Sequence, residues 1–105
     1  MKRLLAIFAI LALAAASRRT IEEHAAKGDW RAVITDAFDL AATNRTEAAA
    51  ALYDVTIKYL PETDERRANN LDDATALLKI AIQNDKHDVR ALTLLSTIES
   101  ELPLL

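Results

Sequence analysis

The sequence predicts an all-α protein, and three observations carry that prediction. Leu71, Ala74, Leu77, Leu78, Ala81 and Ile82 recur at i, i+3, i+6, i+7, i+10 and i+11. Trp30, Val33, Ile34, Ala37, Phe38 and Ala41 repeat nearly the same spacing. Both follow the 3.6-residue period of a helix and not the two-residue alternation of a strand. The third observation is compositional: one Gly, two Pro and abundant Ala leave few places for a helix to break. At 105 residues and 51% hydrophobic content the chain has length and apolar material for one small core.

The first element is set apart from the rest. Met1-Lys2-Arg3 precedes residues 4–16, thirteen positions without a polar side chain, with Ala14 and Ala16 just before Ser17. A basic start, a short apolar run and small residues at its end form the pattern of a secretory signal peptide. Thirteen apolar residues fall short of the roughly 20 that span a bilayer as a helix. Arg18 and Arg19, directly after the run, oppose translocation. A retained short anchor, snorkelling through Lys2, Arg3, Arg18 and Arg19, is therefore a second reading, and a first core helix is a third.

Residues 17–27 read as a helix, continuous with the apolar run because no breaker intervenes, with Glu23 and Lys27 as a supporting i,i+4 pair. Lys27-Gly28-Asp29 is a helix stop followed by an N-cap, which opens the Trp30 helix. Residues 43–46 form a turn, and Thr46 caps a helix over 47–60 with Ala48, Ala51, Leu52, Val55 and Tyr59 on one face. Asn44-Arg45-Thr46 also spells a glycosylation sequon, read here as turn chemistry. Pro61 ends that helix, and residues 61–70 are a polar loop in which 63–68 can form a helical turn. The Leu71 helix follows, then a turn at 84–87 and a last helix over 88–102, stopped by Pro103.

Charge and composition exclude several function classes. Residues 1–19 sum to +4, and from Thr20 onward 16 acids against nine bases give −7. An acidic body offers no clustered cations for phosphates, so nucleic acid is not an expected ligand. With no Cys there is no disulfide, no thiolate metal site, no cysteine nucleophile and no lipid-anchored cysteine. Glu22, Glu23 and His24 are consecutive and point around a helix, which is not a ligand set. His87-Asp88 reads as a turn and cap, and Ser17, Ser96 and Ser100 have no His spaced to activate them. Trp30 heads an apolar stripe, as a core residue does. No catalytic, cofactor-binding or metal-binding residues are expected.

Residues 49–100 resemble the tetratricopeptide repeat. Leu52, Val55, Thr56 and Tyr59 stand where the first helix of such a repeat carries large, Leu-like, small and aromatic residues. Asn69-Asn70-Leu71 takes the place of the inter-helix turn, and Ala74, Leu78 and Ala81 that of the small-large-small pattern of the second helix. Lys86 stands where the family has its closing proline, and Val89, Leu92, Leu95 and Ser96 begin the next unit. An earlier, weaker unit turns at Gly28-Asp29-Trp30, with Ile34, Ala37 and Phe38 in its second helix and Ile21, Ala25 and Ala26 in its first. The resemblance implies antiparallel helical hairpins in a short α-solenoid of about two and a half repeats over residues 17–105, and protein–protein interaction as the function. The groove positions it implies are Tyr53, Thr56 and Lys58, with Arg66 and Asn69 from the loop.

The C-terminal helix carries more apolar residues than one neighbour covers, and solenoids ordinarily end in a polar cap. Leu94, Ile98, Leu102 and Leu105 are therefore expected in an interface with a second copy or a larger partner. The expected setting is periplasmic or secreted, with membrane association through residues 4–16 if they persist. The alternative is a small accessory subunit of a larger membrane complex, held by both ends.

Overall fold

The computed structural model describes residues 16–101, and among them the fold is all-α. Five helices follow one another: α1 (Arg18–Ala26), α2 (Trp30–Ala41), α3 (Arg45–Tyr59), α4 (Glu65–Asn84) and α5 (Val89–Glu101). The apolar run before Ala16 lies outside the described residues, as do Leu102 and Leu105.

Each helix starts where a side chain can take up its free amide groups. Ser17 is extended (φ −145°, ψ 168°) and forms a capping box with Thr20, so α1 begins at Arg18 and does not run through Ser17. Gly28 has φ 76°, the left-handed conformation that a Cβ disfavours, and its amide closes on the Ala25 carbonyl at 2.9 Å. Asp29 accepts from the Ala32 amide at 3.2 Å and starts α2. For α3 the cap is Asn44, which accepts from the Glu47 amide at 3.0 Å. Thr46, expected as that cap, is buried and donates to Asp88 at 2.9 Å. Asp88 in turn caps α5 through the Ala91 amide at 2.9 Å, so one contact ties the starts of α3 and α5.

Leu60 is extended before Pro61, which ends α3 as expected. The next helix departs from expectation. Asn69-Asn70-Leu71 is not a turn: α4 starts at Glu65, capped by Asp64, and runs through all three residues without a positive φ. Asn70 is buried there and donates to the Thr56 hydroxyl at 3.2 Å, so its amide is satisfied inside the core.

Each helix packs on the next, and α3 touches all four others. That position explains its sequence. Ala48, Ala49, Ala50, Ala51, Leu52, Val55 and Thr56 are all buried, so α3 has no solvent stripe comparable to those of its neighbours. Its four consecutive alanines put little side-chain bulk between it and the helices it touches. Ile21, Val33, Leu52, Leu71, Leu78 and Ile98 are the large side chains sealed in the resulting core. Two stripe assignments shift. Phe38 is 49% exposed rather than packed, and on α5 Ala91 and Ile98 form the seam while Leu92 is 44% exposed.

Candidate protein-binding face

The helices α1, α3 and α5 lie side by side, and their outward residues form one continuous face. The α3 residues Ala51 and Val55 line the groove on one side and Ala50 the groove on the other. One groove, toward α1, is lined by Arg18, Arg19, Glu22, Asp54 and Lys58 and has a volume of about 470 Å³. The other, toward α5, is lined by Arg18, Asp54, Arg90, Thr93, Leu94 and Thr97, with about 390 Å³. Arg18 and Asp54 border both.

The charges on this face pair across helices. Glu47 of α3 accepts from Arg18 of α1 at 3.0 Å through one oxygen and from Arg90 of α5 at 2.8 Å through the other. Arg18 also donates to Asp54. The Arg18 hydrogen bond, reinforced by Arg90, holds the Glu47 carboxyl below its ordinary value. At the far end of the α1–α3 groove Glu22 accepts from both Lys58 and the Tyr59 hydroxyl at 2.8 Å. These bonds lower the Glu22 carboxyl and raise the Lys58 ammonium, whose charge also sits 5.1 Å from the Tyr59 ring centroid.

The structure separates the residues that the sequence groups as a binding set. Lys58 lines the α1–α3 groove, and Leu94 is half-buried at the wall of the α3–α5 groove. Thr56 is fully buried against Asn70 and presents nothing to a partner. Tyr53 is half-buried, and burial with the nearby Glu101 charge raises its phenol. Its charged neighbours, Glu101 and Arg67, border a third cleft of about 290 Å³ with Glu62, Ala68 and Leu71. Arg66 folds back onto the α4 cap, with its backbone amide, Nε and Nη2 all donating to Asp64 at 2.8–3.1 Å. Asn69 is exposed on α4. Ile98 is fully buried, so it serves the core and not an exterior surface.

Sequence reasoning missed Arg18, Glu47, Asp54 and Arg90, which knit the face together. None has a partner within its own helix, so no i,i+4 spacing reveals them. It also missed Arg67, only 12% exposed, which donates to the Leu60 carbonyl at 2.9 Å and to Glu101 at 3.3 Å. The consecutive Glu22, Glu23 and His24 do part company. Glu22 goes to Lys58, Glu23 pairs with Arg19 at 3.1 Å instead of Lys27, and His24 meets Asp36 of α2 at 2.7 Å. Among the described residues no helix is long and apolar enough to cross a membrane. Protein-family models show no match to this chain, and neither do the curated proteins nor the solved structures with which it was compared.

Proposed function

We propose that the chain is a non-catalytic protein-interaction module, built as a short tetratricopeptide-like stack, which holds a partner segment on the face formed by α1, α3 and α5. The observation that carries this reading is the lateral order of these helices. The first helices of successive hairpins lie along one side in this reading, because α3 touches both α1 and α5 while α2 packs on α1 and α3 and α4 packs on α3 and α5. Such a face presents grooves lined by alanine and charged side chains, which suits an extended or helical segment bearing charges of both signs. Residues 1–16 act in this reading as an export signal or short anchor, which puts the module outside the cytoplasm of a bacterium-like cell.

The test is co-purification of the tagged full-length chain from native membrane and soluble fractions. Asp54→Arg combined with Lys58→Glu reverses one wall of the groove at two exposed positions. The expected result is at least a tenfold loss of co-purifying protein with unchanged helicity. An identical set of co-purifying proteins would overturn the assignment of this face. The intact mass of the same material separates the two fates of the leader: a start near Ser17 in the soluble fraction means export, and the full-length mass in membranes means an anchor. The exposure of Val89 and Leu92 favours a second reading, an accessory subunit docked on a larger membrane complex through α5.

A further inference from the structure

The outer side of α5 carries a short pattern that the groove does not use. Val89, Leu92, Ser96 and Glu99 fall at i, i+3, i+7 and i+10, and all four are exposed, with Val89 72% and Leu92 44% accessible. The opposite side of the helix holds the core residues Ala91 and Ile98. Lys86 is exposed in the turn just ahead of α5 and puts a cation before the start of the stripe. Among the described residues neither Lys86 nor Glu99 has an ion-pair partner, whereas Arg90 and Glu101 on the same helix are engaged by Glu47 and Arg67.

In order, the turn and the stripe read cation, apolar, apolar, small polar, anion. A stripe of that kind is complementary to itself when reversed. With a second helix laid antiparallel about an axis between Leu92 and Thr93, Val89 faces Ser96 of the other copy, the two Leu92 side chains meet beside the axis, and the turn that carries Lys86 falls beside Glu99. Both salt links form at once, and the Leu92–Leu92 contact and two Val89–Ser96 contacts lie between them, as a two-fold interface requires. A head-to-tail arrangement does not fit as well: the exposed residues of α1 and its C-cap include Arg19, Glu23 and Lys27, against which Val89 and Leu92 would be buried unfavourably. We propose that α5 pairs antiparallel with α5 of a second copy through Lys86, Val89, Leu92, Ser96 and Glu99. A 13-residue helix is about 20 Å long. Its contact is small beside a standard stable interface, so the pairing is weak, reversible and dependent on concentration.

The chain has no cysteine, which makes engineered disulfides an unambiguous probe. Bridging requires Cα atoms within about 7 Å, so cross-linking reports register as well as association. In the full-length chain under mild oxidation, Leu92→Cys is expected to form a disulfide dimer by itself. A mixture of Lys86→Cys and Glu99→Cys chains should cross-link at least tenfold faster than either chain alone, and Asp39→Cys on exposed α2 should remain monomeric. All four positions are exposed, so each variant is expected to keep its helices, which circular dichroism checks. If Leu92→Cys stays monomeric, a second copy is not the occupant and α5 is left to a different protein. If the mixture is no faster than its components, or Asp39→Cys reacts equally fast, the antiparallel register is wrong. None of these outcomes touches the groove, so the two proposals succeed or fail separately.

Discussion

Thr56 shows how one side chain can be misplaced by sequence and still be essential. The tetratricopeptide resemblance implies a groove position for it, and nothing local to the sequence gives a Thr beside Val55 a reason to be inside. The reason is Asn70, fourteen positions away, and only the packed structure brings the two together. Thr56→Val keeps the shape but leaves the Asn70 amide without its acceptor. The expected cost is about 1–3 kcal/mol, measured by urea unfolding. Replacing both partners, Thr56→Val with Asn70→Leu, should recover a substantial part of that loss, since the penalty belongs to the unpaired polar group. Gly28 is the opposite case: a lone glycine followed by Asp in a helical chain announces a left-handed turn, and the structure has one at that residue.

At the scale of elements, helix existence was legible, while several starts were not, the start of α4 most of all. Asn-Asn before a hydrophobic run reads as a turn because Asn tolerates positive φ and has low helix propensity. Two things override it: Asp64 caps the helix five residues earlier, accepting from the Arg66 amide and guanidinium, and Asn70 finds a buried partner. Asn69→Ala discriminates between the two descriptions. As an exposed residue within α4 it should gain about half a kcal/mol from the better helix former, seen as a higher melting temperature. A lower melting temperature would restore the turn. The last helix was legible as amphipathic, but its inward side was set by which neighbours it meets. With Ile98 at the core and Leu92 outside, Ile98→Lys should unfold the domain, while Leu92→Lys should shift stability by no more than about half a kcal/mol. Circular dichroism melts of the two variants decide it.

Across the whole molecule, the apolar periodicities and caps sufficed to foretell an all-α chain, whereas the surface that joins helices did not announce itself. Its ion pairs connect residues 29 to 43 positions apart, at spacings that carry no local signal. These same pairs set the response to acid. Glu47 has its folded-state pKa depressed by Arg18 and Arg90, so its contribution is present above its ordinary value of 4.5 and disappears as pH falls through the lower folded value. Glu22, bound to Lys58 and Tyr59, acts in the same direction, and so does Asp88, bound to the Ala91 amide and Thr46. Asp73 runs the other way, because burial and the adjacent Asp72 raise its carboxyl and protonation relieves that cost. The melting temperature should therefore hold from neutrality to roughly pH 5 and drop below it, and Glu47→Gln should lower the neutral value slightly and flatten the drop. A steeper fall in Glu47→Gln than in the parent would contradict the assignment. Because the pairs are largely exposed, moderate salt should weaken the whole effect.

The place of α3 at the centre has a consequence for the order in which a growing chain can fold. As it leaves the ribosome, the chain presents α1 and α2 first, and the two can meet at once, since neighbours in sequence are neighbours in space. Yet Ile21, Val33 and Ala37 are sealed only within a core that also contains the Ala48–Leu52 stretch of α3. Until α3 has emerged, that first hairpin holds an open apolar side; once it has, α4 and α5 each find a surface already built. Translation thus has one decisive moment, the emergence of residues 45–59, and a chain interrupted before it would be left exposing the surface that later becomes its core.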